Sequence, residues 1–180
     1  MQVNVVIRPA KQEDIRYLET WPDFNTPAHR QALRYYLAQD RRGGGAFLVA
    51  DVGGHPIGQL FLWYTREDPQ LGDGREVASI TALRVWTPFR RHGIATRLVA
   101  AAESVALKAG FQTITIGTDV DNEAAHRLYL SWGYEDFKRS TYEWDGKAYP
   151  QICMRKQLSP GAREPEGGGA GKAPAVRGGR

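Results

Sequence analysis

LRVWTPFRRHGIAT, residues 83–96, is the stretch of sequence that decides the fold of this chain. A strand-like segment runs into a basic turn, and Gly93 and Ala95 are small where a backbone must approach a ligand closely. Apolar residues then recur every three or four positions up to Gly110, which predicts a helix. Because free N–H groups and the dipole at a helix start bind phosphate, the stretch predicts a pyrophosphate site between a strand and a helix.

Two common phosphate-binding motifs do not explain this stretch. A Gly-Lys-Ser/Thr sequence, as in nucleoside-triphosphate loops, does not follow the turn, and a G-x-G-x-x-G dinucleotide fingerprint is not present. The stretch therefore matches neither motif, and a basic helix cap without a ligand is the alternative to a phosphate site.

Working outward, strand and helix patterns alternate along the chain, with a strand–helix–strand unit in the middle and hairpins on either side. The middle unit predicts a parallel pair and the hairpins predict antiparallel pairs, so we expect a mixed sheet. The predicted strands cover residues 3–8, 46–51, 57–64, 77–86, 111–116, 134–144 and 149–156, and the predicted helices residues 11–20, 27–39, 94–109 and 123–132.

Composition narrows the function classes. The 24 basic and 20 acidic side chains form no basic stripe interleaved with aromatics, so we expect no nucleic-acid partner. Cys153 is the only cysteine, which excludes an internal disulfide and a Cys-based zinc cluster and fits a reducing compartment. The four histidines share no metal-ligand spacing, and no apolar run is long enough for a signal peptide or a membrane span. We expect a cytoplasmic protein that binds neither a metal nor a membrane.

The chain divides at about residue 158. Residues 1–158 predict one domain, whereas residues 159–180 are rich in Gly and Pro and contain no aromatic residue. We expect 159–180 to be a disordered tail.

Two motifs together resemble the signatures of the GNAT N-acetyltransferase superfamily. The first is Arg90-x-x-Gly93-x-Ala95 after a strand, and the second is the segment 122–134, NEAAHRLYLSWGY, in which an Asn opens a short helix that ends at Gly-aromatic. The opening Arg-Pro-Ala at 8–10, followed by Asp14, is also typical of the family. The resemblance covers roughly residues 3–157 and implies an α/β (α+β) fold, with a mostly antiparallel sheet of about seven strands flanked by about four helices.

The resemblance implies transfer of an acetyl group from acetyl-CoA to a primary amine, by direct attack in a ternary complex. Leu83 and Val85 would pair with the pantetheine arm, and Asn122 would hydrogen-bond it near the thioester or simply cap its helix. The remaining expected cofactor contacts are the main chain and nearby side chains of Arg90, Arg91, His92, Gly93, Ile94, Ala95 and Thr96.

The same resemblance assigns the leaving-group acid to Tyr129, with a packing role as the alternative. The two positions at which family members carry a glutamate base hold Ser79 and Gly117 here. Among the remaining acids we select Glu76 and Asp119 as candidate bases, with Glu143 or an ordered water as alternatives.

The acceptor pocket of the family lies between the first two helices and the last hairpin. Here those segments contribute Trp21, Asp23, Phe24, Tyr142, Trp144 and Tyr149. An aromatic wall with one Asp favours a cationic or partly apolar amine. We expect a small-molecule or peptide acceptor and a monomer or homodimer; a protein N-terminal or lysine acetyltransferase and a non-catalytic acyl-CoA sensor remain alternatives.

Overall fold

The computed structural model describes residues 4–160, and its elements follow the predicted order. The strands of this segment are Val6–Pro9 (β1), Gly45–Val52 (β2), His55–Trp63 (β3), Val77–Val85 (β4), Thr113–Asp119 (β5), Glu135–Trp144 (β6) and Lys147–Gln157 (β7). The α-helices are Ile15–Leu18 (α1), Pro27–Arg41 (α2), Ile94–Lys108 (α3) and Glu123–Ser131 (α4). The predicted tail lies almost entirely outside the described residues.

All seven strands form one sheet in the order β1-β2-β3-β4-β5-β7-β6. Only β4 and β5 pair in parallel, and every other neighbouring pair is antiparallel. The predicted mixed, mostly antiparallel sheet with four helices is therefore confirmed. The parallel pair arises where α3 connects two strands, as the strand–helix–strand pattern requires.

The sheet is covered by helices on both faces. Along β2, Phe47 and Val49 pack into a cluster with residues of α1 and α2, while Leu48 and Ala50 pack into a larger cluster with α3. This alternation follows from the two-residue period of a strand. The helices α1 and α2 therefore lie over one face of β4, and α3 lies over the other.

The predicted helix at residues 11–20 is much shorter in the structure. A 3-10 turn at Gln12–Asp14 leads into the four residues of α1. The carboxylate of Asp14 accepts hydrogen bonds from the Lys11 N–H at 2.7 Å and from the Arg8 guanidinium at 2.7 Å. Asp14 is therefore a buried ion-pair partner of Arg8 on β1.

The helix α3 matches its prediction closely. Its buried side chains are Ile94, Leu98, Val99, Ala102 and Ala106. Gly110 has a φ of +97° immediately after the helix, the left-handed conformation that commonly ends helices. Among the helices of residues 4–160, none has the length and apolarity that a bilayer crossing requires.

Candidate active site

The strands β4 and β5 separate halfway along their length. Their pairing runs from Val77 with Thr113 to Ile80 with Ile116 and then ends. Beyond that point Ala82 has a φ of +54°, and the register between β3 and β4 shifts. Such an irregularity bends a strand, so residues 81–85 diverge from β5 and leave main-chain groups without a strand partner on that side.

One end of this opening leads to the start of α3. Gly93 caps the helix with a φ of +73°, Arg91 has a φ of +64°, and His92 lies between them. This alternation of conformations turns successive N–H groups towards one side. Side chains of residues 4–160 do not cap the helix, and an added Cβ at Gly93 would meet no atom within 4 Å. The main chain at the predicted anion seat is thus open, and the binding of an anion there stays a prediction.

The side chains around this seat have different surroundings. Ile94 is buried, so only its main chain faces the seat, whereas Arg91, His92 and Thr96 are exposed. Arg90 donates through Nε to the Val85 carbonyl at 3.0 Å. That bond fixes the turn onto β4, and the exposed guanidinium of Arg90 remains next to the seat.

Leu83 and Val85 place their side chains in the larger core cluster. Their main chain borders the opening, as the predicted pairing with a pantetheine arm requires. At the start of α4, the Oδ1 of Asn122 accepts the Ala125 N–H at 3.1 Å. Asn122 is therefore a helix cap, and its contact with a cofactor stays a prediction.

Tyr129 is buried on α4, where its ring stacks on Trp132 at 5.5 Å and lies 6.5 Å from Tyr134. Its hydroxyl has no hydrogen-bond partner within residues 4–160. Burial, together with the negative charge of Asp119, raises the pKa of Tyr129 to about 12. The phenol is consequently a protonated donor at neutral pH.

On the α1–α2 face, the opening widens into a cleft of about 910 Å³. Asp119, at the end of β5, lines this cleft and accepts the Tyr142 hydroxyl at 2.8 Å. Glu76 is different: it is exposed before the first residue of β4, at the end of the strand remote from the seat. Asp119 therefore lies at the cleft, whereas Glu76 is not among the residues that line it, and the identity of the base stays a prediction.

The two positions to which the resemblance assigns a glutamate base also differ in their surroundings. Ser79 is buried within the paired half of β4. Gly117 lines the cleft, but a Cβ added there would lie 2.4 Å from the Gln151 Oε1. A longer side chain at residue 117 would thus require Gln151 to move.

Of the predicted acceptor residues, Tyr142 and Trp144 line the cleft, and Tyr149 stacks behind Tyr142 at a ring distance of 5.3 Å. Trp21 does not, because it is 97% buried in the core between the sheet and α2, with a relative exposure of 3%. Asp23, in the turn Pro22–Phe24, accepts a hydrogen bond from Thr87 and so contacts the segment that precedes α3.

Phe24, the remaining acceptor candidate, contacts Arg84, which was not among the residues predicted from the sequence. The guanidinium of Arg84 lies 4.5 Å from the centroid of the Phe24 ring and 5.7 Å from that of Trp144, and it lines the cleft. Its Nη1 lies 2.5 Å from Nδ1 of His29. Burial and the Arg84 charge lower the pKa of His29 to about 4, so the imidazole is neutral and accepts this bond. One sequence signal could have identified Arg84: it is a charged residue between Leu83 and Val85, two apolar residues of a strand whose side chains face the core.

No three His, Cys, Asp or Glu side chains of residues 4–160 lie together in a way that would hold a metal ion. Cys153, the free thiol, is buried on β7.

Comparison with known proteins decides the family. The sequence model of the acetyltransferase (GNAT) family matches residues 7–134. The chain belongs to the GNAT family. The matched region contains the anion seat, the opening between β4 and β5, and α4, whereas the cleft residues Tyr142 and Trp144 lie beyond it.

Two curated relatives are similar over parts of this GNAT chain. An uncharacterized N-acetyltransferase of Methanocaldococcus jannaschii is 30% identical over 110 residues, 59% of this chain and 45% of the relative. The N-alpha-acetyltransferase 30 of Schizosaccharomyces pombe is 40% identical over 60 residues, 33% of this chain and 40% of the relative. The matches thus span less than half the length of either relative.

Solved structures confirm the fold. An N-acetyltransferase from Staphylococcus aureus Mu50 superposes with a TM-score of 0.67 at 23% identity, covering 87% of this chain and 99% of that one. A Salmonella typhimurium acetyltransferase, solved with its cofactor acetyl-CoA, gives a TM-score of 0.64 at 19% identity, with coverages of 90% and 98%.

Proposed function

We propose that this GNAT protein is an acetyl-CoA-dependent N-acetyltransferase that acts on a primary amine of a small molecule or peptide by direct attack in a ternary complex. The observation that carries the proposal is the opening between β4 and β5, which connects an anion seat at Gly93 with a cleft that contains Asp119. An acyl donor and an amine can thus approach one point from opposite faces of the sheet.

The chain offers a fitting site for the donor. Free N–H groups at residues 91–95 suit the diphosphate, and the open space at Gly93 admits it. The unpaired edge of residues 81–85 suits the amides of the pantetheine arm. When bound, acetyl-CoA supplies a thioester whose carbonyl carbon bonds to the amine nitrogen as the carbon–sulfur bond breaks and the nitrogen loses one proton.

Asp119 is the proposed proton acceptor. A primary amine has an ordinary pKa of about 10.4 and must lose a proton to attack. The Asp119 carboxylate lines the cleft, and the Tyr142 hydroxyl holds one of its oxygens at 2.8 Å, which leaves the other free for a substrate ammonium or a relaying water.

Tyr129 is the proposed proton donor to the departing thiolate. Its phenol is protonated at neutral pH, since even the ordinary tyrosine pKa of about 10 lies above neutrality and burial raises the pKa of Tyr129 to about 12. The hydroxyl also lacks a competing partner within residues 4–160. A thiolate that receives a proton or a hydrogen bond as it forms is a better leaving group, which is the contribution of a general acid.

Thiol release tests the proposal. The full chain is incubated with acetyl-CoA and a panel of amines that includes polyamines, aminoglycosides, amino acids and peptides, and free CoA is measured. We expect amine-dependent release that Asp119→Asn lowers by about 10²-fold or more, the usual contribution of a general base. Binding of acetyl-CoA without release for any amine would contradict an enzyme and favour a non-catalytic acyl-CoA sensor.

One comparison favours a peptide among the acceptors. The segment shared with the N-alpha-acetyltransferase 30 of Schizosaccharomyces pombe is 40% identical. A protein N-terminus is therefore the second candidate acceptor. Peptides with a free N-terminus, compared with their N-terminally blocked forms in the same assay, distinguish it from a small-molecule amine.

A further inference from the structure

The acceptor cleft contains a cation with an unusual environment. Arg84 points from β4 between the rings of Phe24 and Trp144, at 4.5 and 5.7 Å from the two centroids. Both rings present a π-electron face to the guanidinium, an arrangement that stabilises its charge and orientation. The fork of Arg84 is thus held at the cleft surface before any ligand arrives.

The hydrogen-bonding capacity of Arg84 is mostly unused. A guanidinium has five N–H donors, and within residues 4–160 the only side-chain acceptor for Arg84 is the neutral His29. No carboxylate of the described segment forms a salt bridge with it. A partly buried cation without an anionic partner is costly to a fold, which indicates that its partner comes from outside the described residues.

Arg66, the second arginine of the cleft, differs from Arg84 in one decisive respect. It lies 5.8 Å from the centroid of Trp63 and also lacks a salt bridge within residues 4–160. However, the carboxylates of Glu67 and Asp68 lie within range of its charge, whereas the acidic groups near Arg84 are the phenols of Tyr36 and Tyr142, which are uncharged at neutral pH. Arg84 is therefore the less compensated cation.

The position of Arg84 relative to the proposed base matters for the substrate. Tyr142 donates to Asp119 and lies within range of the Arg84 charge, so its hydroxyl lies between an anion and a cation on the same wall. A ligand in this cleft meets a group that attracts an ammonium and a group that attracts an anion. Zwitterionic amines match both.

We propose that Arg84 binds a carboxylate of the acceptor, so that the substrate is an amine that also carries a carboxylate, as a free amino acid does. This inference rests on the proposed function. The planar fork matches a carboxylate through two parallel hydrogen bonds, a geometry that a lysine cannot reproduce. Arg84 thereby determines acceptor specificity and orients the amine towards Asp119.

Matched pairs of acids and carboxamides test the inference. Phenylalanine, methionine and lysine are each compared with their carboxamides, which keep every amino group but lack the negative charge. With the intact chain we expect at least one acid to have a KM about 10- to 100-fold below that of its amide, the usual effect of a charge-assisted pair. In Arg84→Met the KM of the acid rises until the two agree within about twofold, while Arg84→Lys gives an intermediate value.

Two further variants show whether the effect belongs to Arg84. Arg75→Met removes an exposed arginine that precedes β4 and leaves the acid preference unchanged. Equal KM values for acid and amide in the intact chain would contradict the inference. So would a preference that survives in Arg84→Met or disappears in Arg66→Met instead. A stronger Arg84-dependent preference for aminoethylphosphonate over β-alanine would contradict a carboxylate as the ligand.

Binding without turnover separates this inference from the proposed function. Calorimetry measures the same amino acids against the full chain saturated with CoA, which has no acetyl group to transfer. Heat of binding for the acid that disappears in Arg84→Met supports the anion site even if no amine is acetylated. If neutral amines are acetylated but no acid shows Arg84-dependent binding, the proposed acetyltransferase activity stands and the proposed carboxylate site is contradicted. A thermal unfolding curve establishes that each variant is folded.

Discussion

Two arginines of this protein occupy opposite kinds of environment. Arg8 contacts two carboxylates, Asp14 at 2.7 Å and Asp51 at 2.5 Å, and we call these three residues the closed network. Arg84 contacts two rings and a neutral imidazole in the region where β4 and β5 separate, which we call the open region. The difference separates a charge that stabilises the fold, at Arg8, from a charge that is available to bind a ligand, at Arg84.

The closed network connects three parts of the chain. Arg8 lies on β1, Asp14 precedes α1, and Asp51 near the end of β2 also accepts the Gly54 N–H of the following turn at 2.8 Å. The hydrogen bonds that Arg8 donates to Asp14 and Asp51, and the charges of both acids, raise the pKa of Arg8 despite its partial burial. The open region contains no such set of paired charges. Hydrogen-bond donors remain unpaired there at the start of α3, at the Tyr129 hydroxyl and on the Arg84 guanidinium. Substitutions in the open region should therefore change ligand affinity or turnover, whereas substitutions in the closed network should change the free energy of unfolding.

The largest effect is expected at the anion seat. In Gly93→Glu a carboxylate occupies the open space around residue 93 and repels a diphosphate, so affinity for acetyl-CoA falls by at least ~100-fold. Calorimetry with acetyl-CoA measures this loss. Gly110→Glu is the matched control, because Gly110 at the other end of α3 also has a positive φ and no atom within 4 Å of an added Cβ. Equal affinity in the two variants would place the diphosphate elsewhere.

Two tyrosines extend the comparison to the catalytic step. Tyr129→Phe removes the unpaired hydroxyl of the open region, and we expect kcat to fall by ~10²- to 10⁴-fold with little change in acetyl-CoA affinity. Tyr134→Phe is its control, because the Tyr134 hydroxyl donates to Glu103 at 2.9 Å. That variant should lose about 1 kcal/mol of stability and keep its kcat. Unchanged turnover in Tyr129→Phe would leave Tyr129 with a packing role alone.

Features set by local chemistry were predictable from the sequence. The Asp145-Gly146 pair predicts the last hairpin, and both residues have the positive φ of such a turn. The periodicity from Ile94 to Gly110 predicts α3 almost to the residue. The anion seat follows for the same reason, since it is made of main-chain groups whose positions depend only on a strand, a turn and a helix.

Features set by long-range packing were not predictable in this way. Trp21 is an aromatic residue of the kind that lines ligand pockets, but it lies in the core instead. Which aromatic side chains fill the core depends on how α2 crosses the sheet, and this crossing cannot be read from the sequence. Glu76 and Asp119 are equivalent as acids in a sequence, and only the length of β4 and β5 before they separate distinguishes them. Arg84 was missed because the direction of its side chain depends on the irregularity at Ala82.

A smaller effect is expected in the closed network. Arg8→Met leaves the Asp14 and Asp51 carboxylates without their partner, and we expect the free energy of unfolding to fall by about 2–3 kcal/mol. This is below the ~3–5 kcal/mol of fully buried pairs because the Arg8 side chain keeps 20% of its exposure. Acetyl-CoA affinity of the folded variant should be unchanged. Denaturant unfolding measures the loss, and weakened cofactor binding at full stability would contradict the division into two regions.

The pH dependence of this loss has a defined sign. Burial alone raises the pKa of Asp51, but hydrogen bonds from Gly54 and Arg8 and the Arg8 charge together lower it below its ordinary value. A carboxyl with a lowered pKa contributes stability above its unfolded pKa of about 3.9 and loses it as pH falls through the folded value. The gap in unfolding free energy between the intact chain and Arg8→Met should therefore be constant near neutral pH and narrow below about pH 4.

The smallest stability effect is expected for Arg84→Met, and it is the most direct comparison with Arg8. Methionine keeps most of the length and apolar contact of the arginine side chain, while it removes a partly buried charge that has no anionic partner within residues 4–160. The relief of that charge opposes the loss of two cation–π contacts, each worth about 0.5–1 kcal/mol. We expect an unfolding free energy equal to that of the intact chain or up to about 1 kcal/mol higher, measured by denaturant unfolding without ligand. A loss of about 2 kcal/mol or more would show that Arg84, like Arg8, serves the fold, and that its partner is already within the chain.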